Sequence, residues 1–315
     1  MNSNMTPPIR KLVIVIGGSG FVGRHLVSRL LEYYRSVVIF DLVKPVFFDN
    51  RVDYVQGDIR EFEKIFPISE REFDVVHLAA IHRDDVKNID DYFSVNEYGT
   101  SCIMESINRF APDAVVRLVF LSSVAVYSNT PYGKSKLAAE EILERKMTTG
   151  MKGKVYILRP SAVFGPHCGG NMKLFKAVSR VPILALPGGH QIKSVTSVWF
   201  LVSAILRCLI DKRFKGGNWN VVSEPQINVA ELLASQRAEG GPRLPILWLN
   251  KNLCDTVFWL IGLLLGRLNG WKILKKRYEK FTSSTLFANE FPTDQGNYPK
   301  HTICKDLIKW RHEDR

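Results

Sequence analysis

The stretch "KLVIVIGGSGFVGRHL", residues 11–26, decides the fold. Leu12 to Ile16 are five apolar, mostly β-branched residues in a row, the pattern of a strand buried on both faces. They run without a break into Gly17, with Gly20 and Gly23 following at intervals of three. Glycine at these places permits a tight turn and lets backbone N–H groups approach a pyrophosphate closely, while the N-terminus of the following helix supplies partial positive charge. Strand, glycine-rich turn and helix in that order predict the first unit of a parallel α/β fold.

Outward from that unit the same rhythm repeats. "SVVIFDL", "DVVHLAA", "RLVFLSS" and "KVYILRP" are apolar runs stopped by Asp, Ala, Ser or Pro, with longer helix-forming stretches between them. Such alternation predicts a doubly wound parallel sheet of the Rossmann type. From about residue 167 it loosens: "GPHCGGNM" and "LPGGHQ" read as loops, "GGNWNVVS" as a strand, and the remainder is rich in helix formers. The expected organisation is a nucleotide-binding domain over 1–166, joined by parts of 195–223, and a smaller C-terminal lobe over 167–315.

Composition narrows the function classes. With 46% hydrophobic residues the chain can bury a substantial core, which excludes disorder. Five scattered cysteines (102, 168, 208, 254 and 304) lack both a disulfide framework and metal-ligand spacing, so no metal is expected. The opening residues lack a signal-peptide layout, which predicts a cytoplasmic protein. The net charge of +12 comes without a nucleic-acid-binding motif, so no nucleic acid is expected as partner. Part of the excess is regional: residues 251–280 hold seven Lys and Arg against Asp255 and Glu279.

Two acids refine the ligand. Asp41 ends the second strand, where a carboxylate can accept both hydroxyls of a ribose and would repel a 2′-phosphate, favouring NAD over NADP; the other reading is a strand-end cap. Asp58, in "QGDIR", follows the third strand. On the same edge of the sheet, "SSVAVYSNTPYGKSK" (122–136) places Ser123 at a strand end and Tyr132 and Lys136 one helical turn apart. A phenol with its ordinary pKa near ~10 is a poor base, but a lysine ammonium and a positively charged nicotinamide beside it favour phenolate. Tyr132 then serves as general base and Ser123 aligns the same substrate oxygen. Without those neighbours the Tyr-x-x-x-Lys pair reads as a solvated helix face.

Together Gly17, Gly20, Gly23, Asp41, Asp58, "HLAA", Asn96, Ser123, Tyr132 and Lys136 resemble the extended short-chain dehydrogenase/reductase family, the NAD-dependent sugar epimerases and dehydratases. The resemblance implies catalysis by Ser123, Tyr132 and Lys136, with Lys136 also gripping the nicotinamide ribose. It implies a cofactor site lined by Gly17, Gly20, Phe21, Val22, Gly23, Asp41, Asp58, Ile59, Ala79, Ala80, Asn96, Tyr132 and Lys136. Dehydratases of the family carry an Asp-Glu pair directly after the catalytic hydroxyl residue; here Val124 and Ala125 stand there, which leaves reversible oxidation at C4 and hence epimerisation. A homodimer through the helices carrying Asn96 and Tyr132 is a further family expectation.

Within the family, "AAIHRDDVKNIDDYFSVNEYGT", "SSVAVY" and "EKFTSSTLFAN" are similar to the epimerases that act on N-acetylglucosamine carried by undecaprenyl diphosphate. That likeness implies interconversion of lipid-linked GlcNAc and GalNAc for O-antigen and other surface polysaccharide. Separately, "VFWLIGLLLG" (257–266) is apolar, lies in the basic region and is flanked by Trp248 and Trp271. It is too short to span a bilayer of ~30 Å but suits an anionic membrane surface; a buried helix or a dimer contact is the alternative. The expected location is peripheral, on the inner face of the cell membrane. A soluble UDP-sugar epimerase, a dehydrogenase or a silent NAD-binding protein are the other readings.

For the substrate, Arg83 fits a diphosphate contact or a loop brace through Asp84 or Asp85, and Asn171 fits a sugar or diphosphate contact or a helix N-cap. Two features depart from the family pattern. Only "SNTP" separates Tyr127 from Tyr132 where a longer loop is usual, and Phe200 occupies a place usually polar. The eight residues between Ser123 and Tyr132 are enough to join a strand end to a helix start.

Overall fold

The computed structural model describes residues 10–46, 49–66, 68–70, 72–82, 88–148, 153–169, 172, 184–237, 246–265, 269–293 and 303–313. Arg83 and Asn171 lie outside them, as do Asp84 and Asp85. By contacts the chain forms two compact units, one from Met1–Ser161, Val198–Val222 and Asn289–Lys300, the other from Ala162–Ser197, Ser223–Ala288 and His301–Arg315.

In the first unit, β1 (Arg10–Ile16) leads into α1 (Phe21–Leu30), β2 (Tyr34–Asp41), β3 (Val52–Gln56) and β4 (Phe73–His77). A long helix, α2, runs through Asp90–Tyr92, a π-helical turn Phe93–Tyr98, and Gly99–Phe110. Next come β5 (Val115–Leu121), α3 (Pro131–Thr148) and β6 (Lys154–Pro160). The second unit begins with β7 (Ala162–Phe164) and continues with β8 (Leu184–Pro187), β9 (Ile192–Lys193) and β10 (Val195–Ser197). The chain returns to the first unit for α4 (Val198–Ile210) and β11 (Gly217–Val221). It then forms β12 (Ile227–Asn228), α5 (Val229–Arg237), β13 (Ile246–Leu249), α6 (Lys251–Leu265), α7 (Asn269–Thr282) and α8 (Ile303–Glu313) in the second.

The seven strands of the first unit form one sheet in the order β11-β6-β5-β4-β1-β2-β3, with every pair parallel. This is the expected doubly wound Rossmann-type sheet. Its strands read as continuous apolar runs because both faces are covered: Val13 to Ile16 are fully buried, and Ile14, Ile16, Phe40, Phe62, Val75, Phe120 and Ile157 belong to one core cluster. The order of connection reverses between β1 and β4, so the carboxyl ends of these strands flank the crevice where such sheets bind ligands.

A buried polar group fixes the other end of β1. Arg10 and Tyr34 both donate to Asp74 Oδ2, at 2.5 and 2.6 Å. Burial pushes the Asp74 carboxyl up despite Arg10. In the second unit, short strand pairs β10–β7, β12–β9 and β13–β8 are accompanied by helices, and Trp310 of α8 is fully buried, its ring 5.4 Å from that of Phe164. Among the described residues no helix is long and apolar enough to cross a membrane.

Candidate active site

The glycine turn is built as the sequence demands. Gly17 has φ +81°, and a Cβ there would stand 2.5 Å from the backbone nitrogen of Ala79. The turn therefore lies directly against the "HLAA" end of β4, whose Ala79 N–H donates to Ile16 O at 3.1 Å. A Cβ on Gly23 would stand 2.3 Å from Gly18 O, so this glycine seats the first turn of α1 on the loop. Gly20 is the N-cap, no side chain caps α1, and no acid occupies its first turn. The N–H groups around half-buried Phe21 and Val22 are thus available, in a positive field, to an anionic group. That cradle fits a pyrophosphate.

Asp41 closes the cradle from β2. Its Oδ2 accepts the Ser19 N–H at 2.9 Å and its Oδ1 the Val43 N–H at 3.1 Å. The two readings of this residue are therefore compatible, since each carboxylate oxygen keeps a second lone pair for a ribose hydroxyl. Asp58 is more heavily engaged. It caps the turn Ile59–Ile65 through the Arg60 N–H at 2.9 Å and takes Nε and Nη2 of Arg60 at 2.8 and 2.7 Å. Hydrogen bonding to that guanidinium holds its carboxyl below the usual range. Ile59 is buried beside Gly99, where a Cβ would come 2.3 Å from Ile59 Cδ1, and Ala79 and Ala80 are half-buried after β4.

Asn96 projects from the π-helical turn of α2 and makes three hydrogen bonds. Its Oδ1 accepts the Ile81 N–H at 2.8 Å, and its Nδ2 donates to Ile81 O and Ser135 Oγ, both at 2.9 Å. It ties the chain just beyond "HLAA" to α3, so it shapes the site by holding backbone.

Ser123 and Tyr132 come together. Ser123, two residues past β5 and with extended backbone, caps the turn Val124–Tyr127 by accepting the Ala125 N–H at 3.1 Å, and its hydroxyl is near enough to the Tyr132 phenol to act on its pKa. The short connection does this with local chemistry. Ser128 Oγ donates to Ala125 O at 2.7 Å, Thr130 Oγ1 accepts the Gly133 N–H at 3.1 Å as the cap of α3, and Pro131 takes the first helical position. Gly133 is required by closeness, since a Cβ there would meet Ala125 O.

Electrostatics of the pair differ from the expectation. Burial drives the Tyr132 phenol up to about 12; the Ser123 hydroxyl opposes this and Tyr92 adds to it, its ring centroid 6.1 Å away. Lys136 is not among the groups acting on Tyr132. Its side chain is fully buried with Nζ 4.0 Å from the centre of the Phe120 ring, and burial lowers its pKa to about 7 while Glu140 opposes the fall. Tyr132 and Lys136 share a helix face, but the aromatic ring offered by β5 draws the flexible lysine stem inward.

Behind the pair lies a polar group that the sequence reading missed. Glu140, fully buried one turn beyond Lys136, accepts from Ser122 Oγ and is gripped by Arg159 of β6, with Nε at 3.0 and 3.1 Å from its two oxygens and Nη2 at 2.5 Å from Oε2. Arg159 also donates to the Tyr127 hydroxyl at 3.0 Å, which donates to Asn220 at 3.1 Å. The spacing 132, 136, 140 on one helix face was the available signal. Phe200, the second departure from the family pattern, is buried with its ring 6.5 Å from that of Phe291.

Comparison with known proteins agrees with this geometry. Residues 13–220 match the model of the NAD dependent epimerase/dehydratase family. The chain is 28% identical to the N-acetyl-alpha-D-glucosaminyl-diphospho-ditrans,octacis-undecaprenol 4-epimerase of Escherichia coli O157:H7, over 94% of this chain and 92% of that protein. It is also 28% identical to UDP-glucose 4-epimerase 2 of Arabidopsis thaliana, over 78% and 85%. Among solved structures, UDP-glucose 4-epimerase from Thermotoga maritima superposes with a TM-score of 0.71 at 18% identity, covering 96% of this chain and 98% of that one; this likeness is one of fold.

Proposed function

The chain belongs to the NAD dependent epimerase/dehydratase family, and from that premise we propose that it is an NAD-dependent sugar 4-epimerase acting on undecaprenyl-diphosphate-linked GlcNAc and GalNAc. When bound, NAD supplies a hydride acceptor that returns the hydride after the sugar turns over, so no net oxidation accumulates. The chain's own part is to hold the sugar's C4 oxygen between Ser123 and Tyr132 and to move its proton. With its phenol protonated at rest, Tyr132 is ready to give a proton to a C4 ketone. To take one from the C4 hydroxyl it needs positive charge nearby, and on this reading Lys136, one turn along α3, turns its ammonium from the Phe120 ring toward the phenol to supply it.

The observation that carries this reading is the nearness of the Ser123 hydroxyl to the Tyr132 phenol, on the strand edge that also bears the glycine cradle. Val124 and Ala125 lack the acid and base for eliminating water, which favours epimerisation over dehydration. Similarity to the lipid-linked epimerase along nearly the whole chain supports the carrier. On this reading the protein works as a homodimer at the inner face of the cell membrane and feeds surface polysaccharide, including O-antigen. Substrate contacts by Arg83 and Asn171 belong to the same proposal. Similarity to UDP-glucose 4-epimerases favours, as second reading, a soluble enzyme of nucleotide-linked sugars.

The test is incubation with undecaprenyl-diphosphate GlcNAc and, separately, UDP-GlcNAc, followed by acid release and separation of GlcNAc from GalNAc. GalNAc from the lipid substrate, absent with Tyr132→Phe, is the expected result. Product from UDP-GlcNAc alone selects the second reading, and product from neither overturns both.

A further inference from the structure

Helix α6 is apolar on the wrong side for a soluble protein. Cys254, Phe258 and Gly262, at intervals of four, face α7 together with Asp255. The Phe258 ring stacks on Trp271 and Tyr278 at 4.5 and 4.2 Å, Tyr278 donates to Asp255 at 2.6 Å, and a Cβ on Gly262 would stand 3.2 Å from Trp271 Nε1. That narrow stripe is the helix's inward contact. The rest of its described surface carries Leu253, Val257, Trp259, Leu260, Ile261 and Leu263, each between 37% and 65% exposed. At 3.6 residues per turn these six span an arc of roughly 200°, within which Asn252 and Thr256 are the polar residues among those described. Strand β13, directly before α6, adds Leu247 and Leu249, both exposed, on either side of the half-buried Trp248.

The two tryptophans that flank the segment in sequence do not serve as interfacial anchors. Trp271 is buried against Phe258, and the ring of Trp248 fills the space above Gly189, where a Cβ would stand 2.7 Å from it. Trp259 is the tryptophan that faces out.

We propose that α6 and the outer face of β13 form a monolayer-inserting foot that docks the protein on an anionic lipid surface. Two observations choose lipid over a second copy of the chain. Exposed Leu, Ile, Val and Trp side chains on a helix with basic residues beside them are the pattern of a segment that lies in the headgroup boundary. The surrounding charge is complementary to acidic headgroups: residues 251–280 carry seven basic side chains against two acids, among them exposed Lys251, Lys275 and Lys280. The foot rests for its purpose on the lipid-carrier reading, since it would hold the protein where a polyprenyl diphosphate presents its headgroup, but its evidence is the exposure pattern and the charge around it.

The experiment is flotation of the full chain with phosphatidylcholine vesicles, with and without phosphatidylglycerol, at low and at physiological salt. The wild type is expected to float with the anionic vesicles and less so as salt rises. The Leu253→Ser/Leu260→Ser double variant is expected to lose flotation by roughly tenfold or more, with its circular dichroism and its retention of NAD unchanged. Lys275→Glu/Lys280→Glu, which leaves the apolar arc intact, is expected to lose the preference for phosphatidylglycerol. Failure of the wild type to float, or a double variant that floats normally but turns a dimer into a monomer, overturns the proposal. Turnover of lipid-linked GlcNAc in detergent, where no docking is needed, tests the carrier reading separately.

Discussion

Replacing Lys136 by methionine separates what this side chain costs the fold from what it contributes to chemistry. The ammonium is fully buried over Phe120, and burial lowers its pKa from 10.5 to about 7, with Glu140 offsetting part of the fall. Below about pH 7 folded and unfolded chains both carry the proton; above about 10.5 neither does. Between these limits the unfolded chain binds the proton and the folded chain does not, so wild-type stability rises with pH across the window. At about 1.4 kcal/mol for each tenfold change in proton affinity, the whole effect is on the order of 5 kcal/mol. Methionine keeps an unbranched apolar stem and carries no proton, so the variant is expected to be the more stable protein near neutrality. Its advantage should shrink by about 3 kcal/mol between about pH 7 and about pH 9.5. Urea unfolding of both proteins at several pH values measures the difference directly and cancels every other titrating group they share. A difference that stays constant across the window would refute the buried-lysine argument, because it would mean the ammonium keeps its proton in the fold.

Three other perturbations test other parts of the site. Glu140→Ala leaves Arg159 without its buried partner and releases Ser122, which should lower stability by about 3–5 kcal/mol in chemical denaturation; Glu140→Met combined with Arg159→Met should recover much of it. Gly17→Ala places a Cβ against Ala79 in a left-handed conformation that costs about 1–2 kcal/mol by itself, so the purified variant should have a lower unfolding midpoint and lose NAD during gel filtration. Asp41→Asn should weaken NAD binding by roughly tenfold or more in calorimetry, as the loss of a charged hydrogen-bond acceptor requires, and narrow the preference over NADP. Unchanged NAD affinity would leave Asp41 as a strap for the glycine turn only.

Much of this was legible because it is local. The five strands quoted from the sequence are continuous apolar runs, and each lies in the parallel sheet. Gly17 and Gly23 announce close approaches, and the structure shows with which atoms. The pairing of Ser123 with Tyr132 followed from a strand end, a short turn and a helix start. What stayed hidden depends on partners distant in sequence. Lys136 meets Phe120 from another element, Glu140 meets Arg159 nineteen residues on, and Asn96 spends its amide on backbone at Ile81. Trp248 and Trp271 illustrate the same limit, since flanking position in sequence says nothing about which way a ring turns.

The outer edge of β11 has a consequence for how the protein is made. Asn220 O accepts the N–H groups of Glu290 and Phe291 at 3.0 and 3.2 Å, Glu290 Oε2 accepts the Asn220 N–H at 3.1 Å, and Asn289 Oδ1 accepts the Val222 N–H at 3.2 Å. These residues are synthesised some seventy positions after the strand they cover. A ribosome that has released β11 has therefore produced the seven strands of the sheet while the cover for the last one is still to be translated. During that interval the nascent chain displays an unpaired strand edge, the kind of surface that recruits other chains. Truncations ending before Asn289 should consequently aggregate even though they retain every strand of the sheet and the whole glycine cradle.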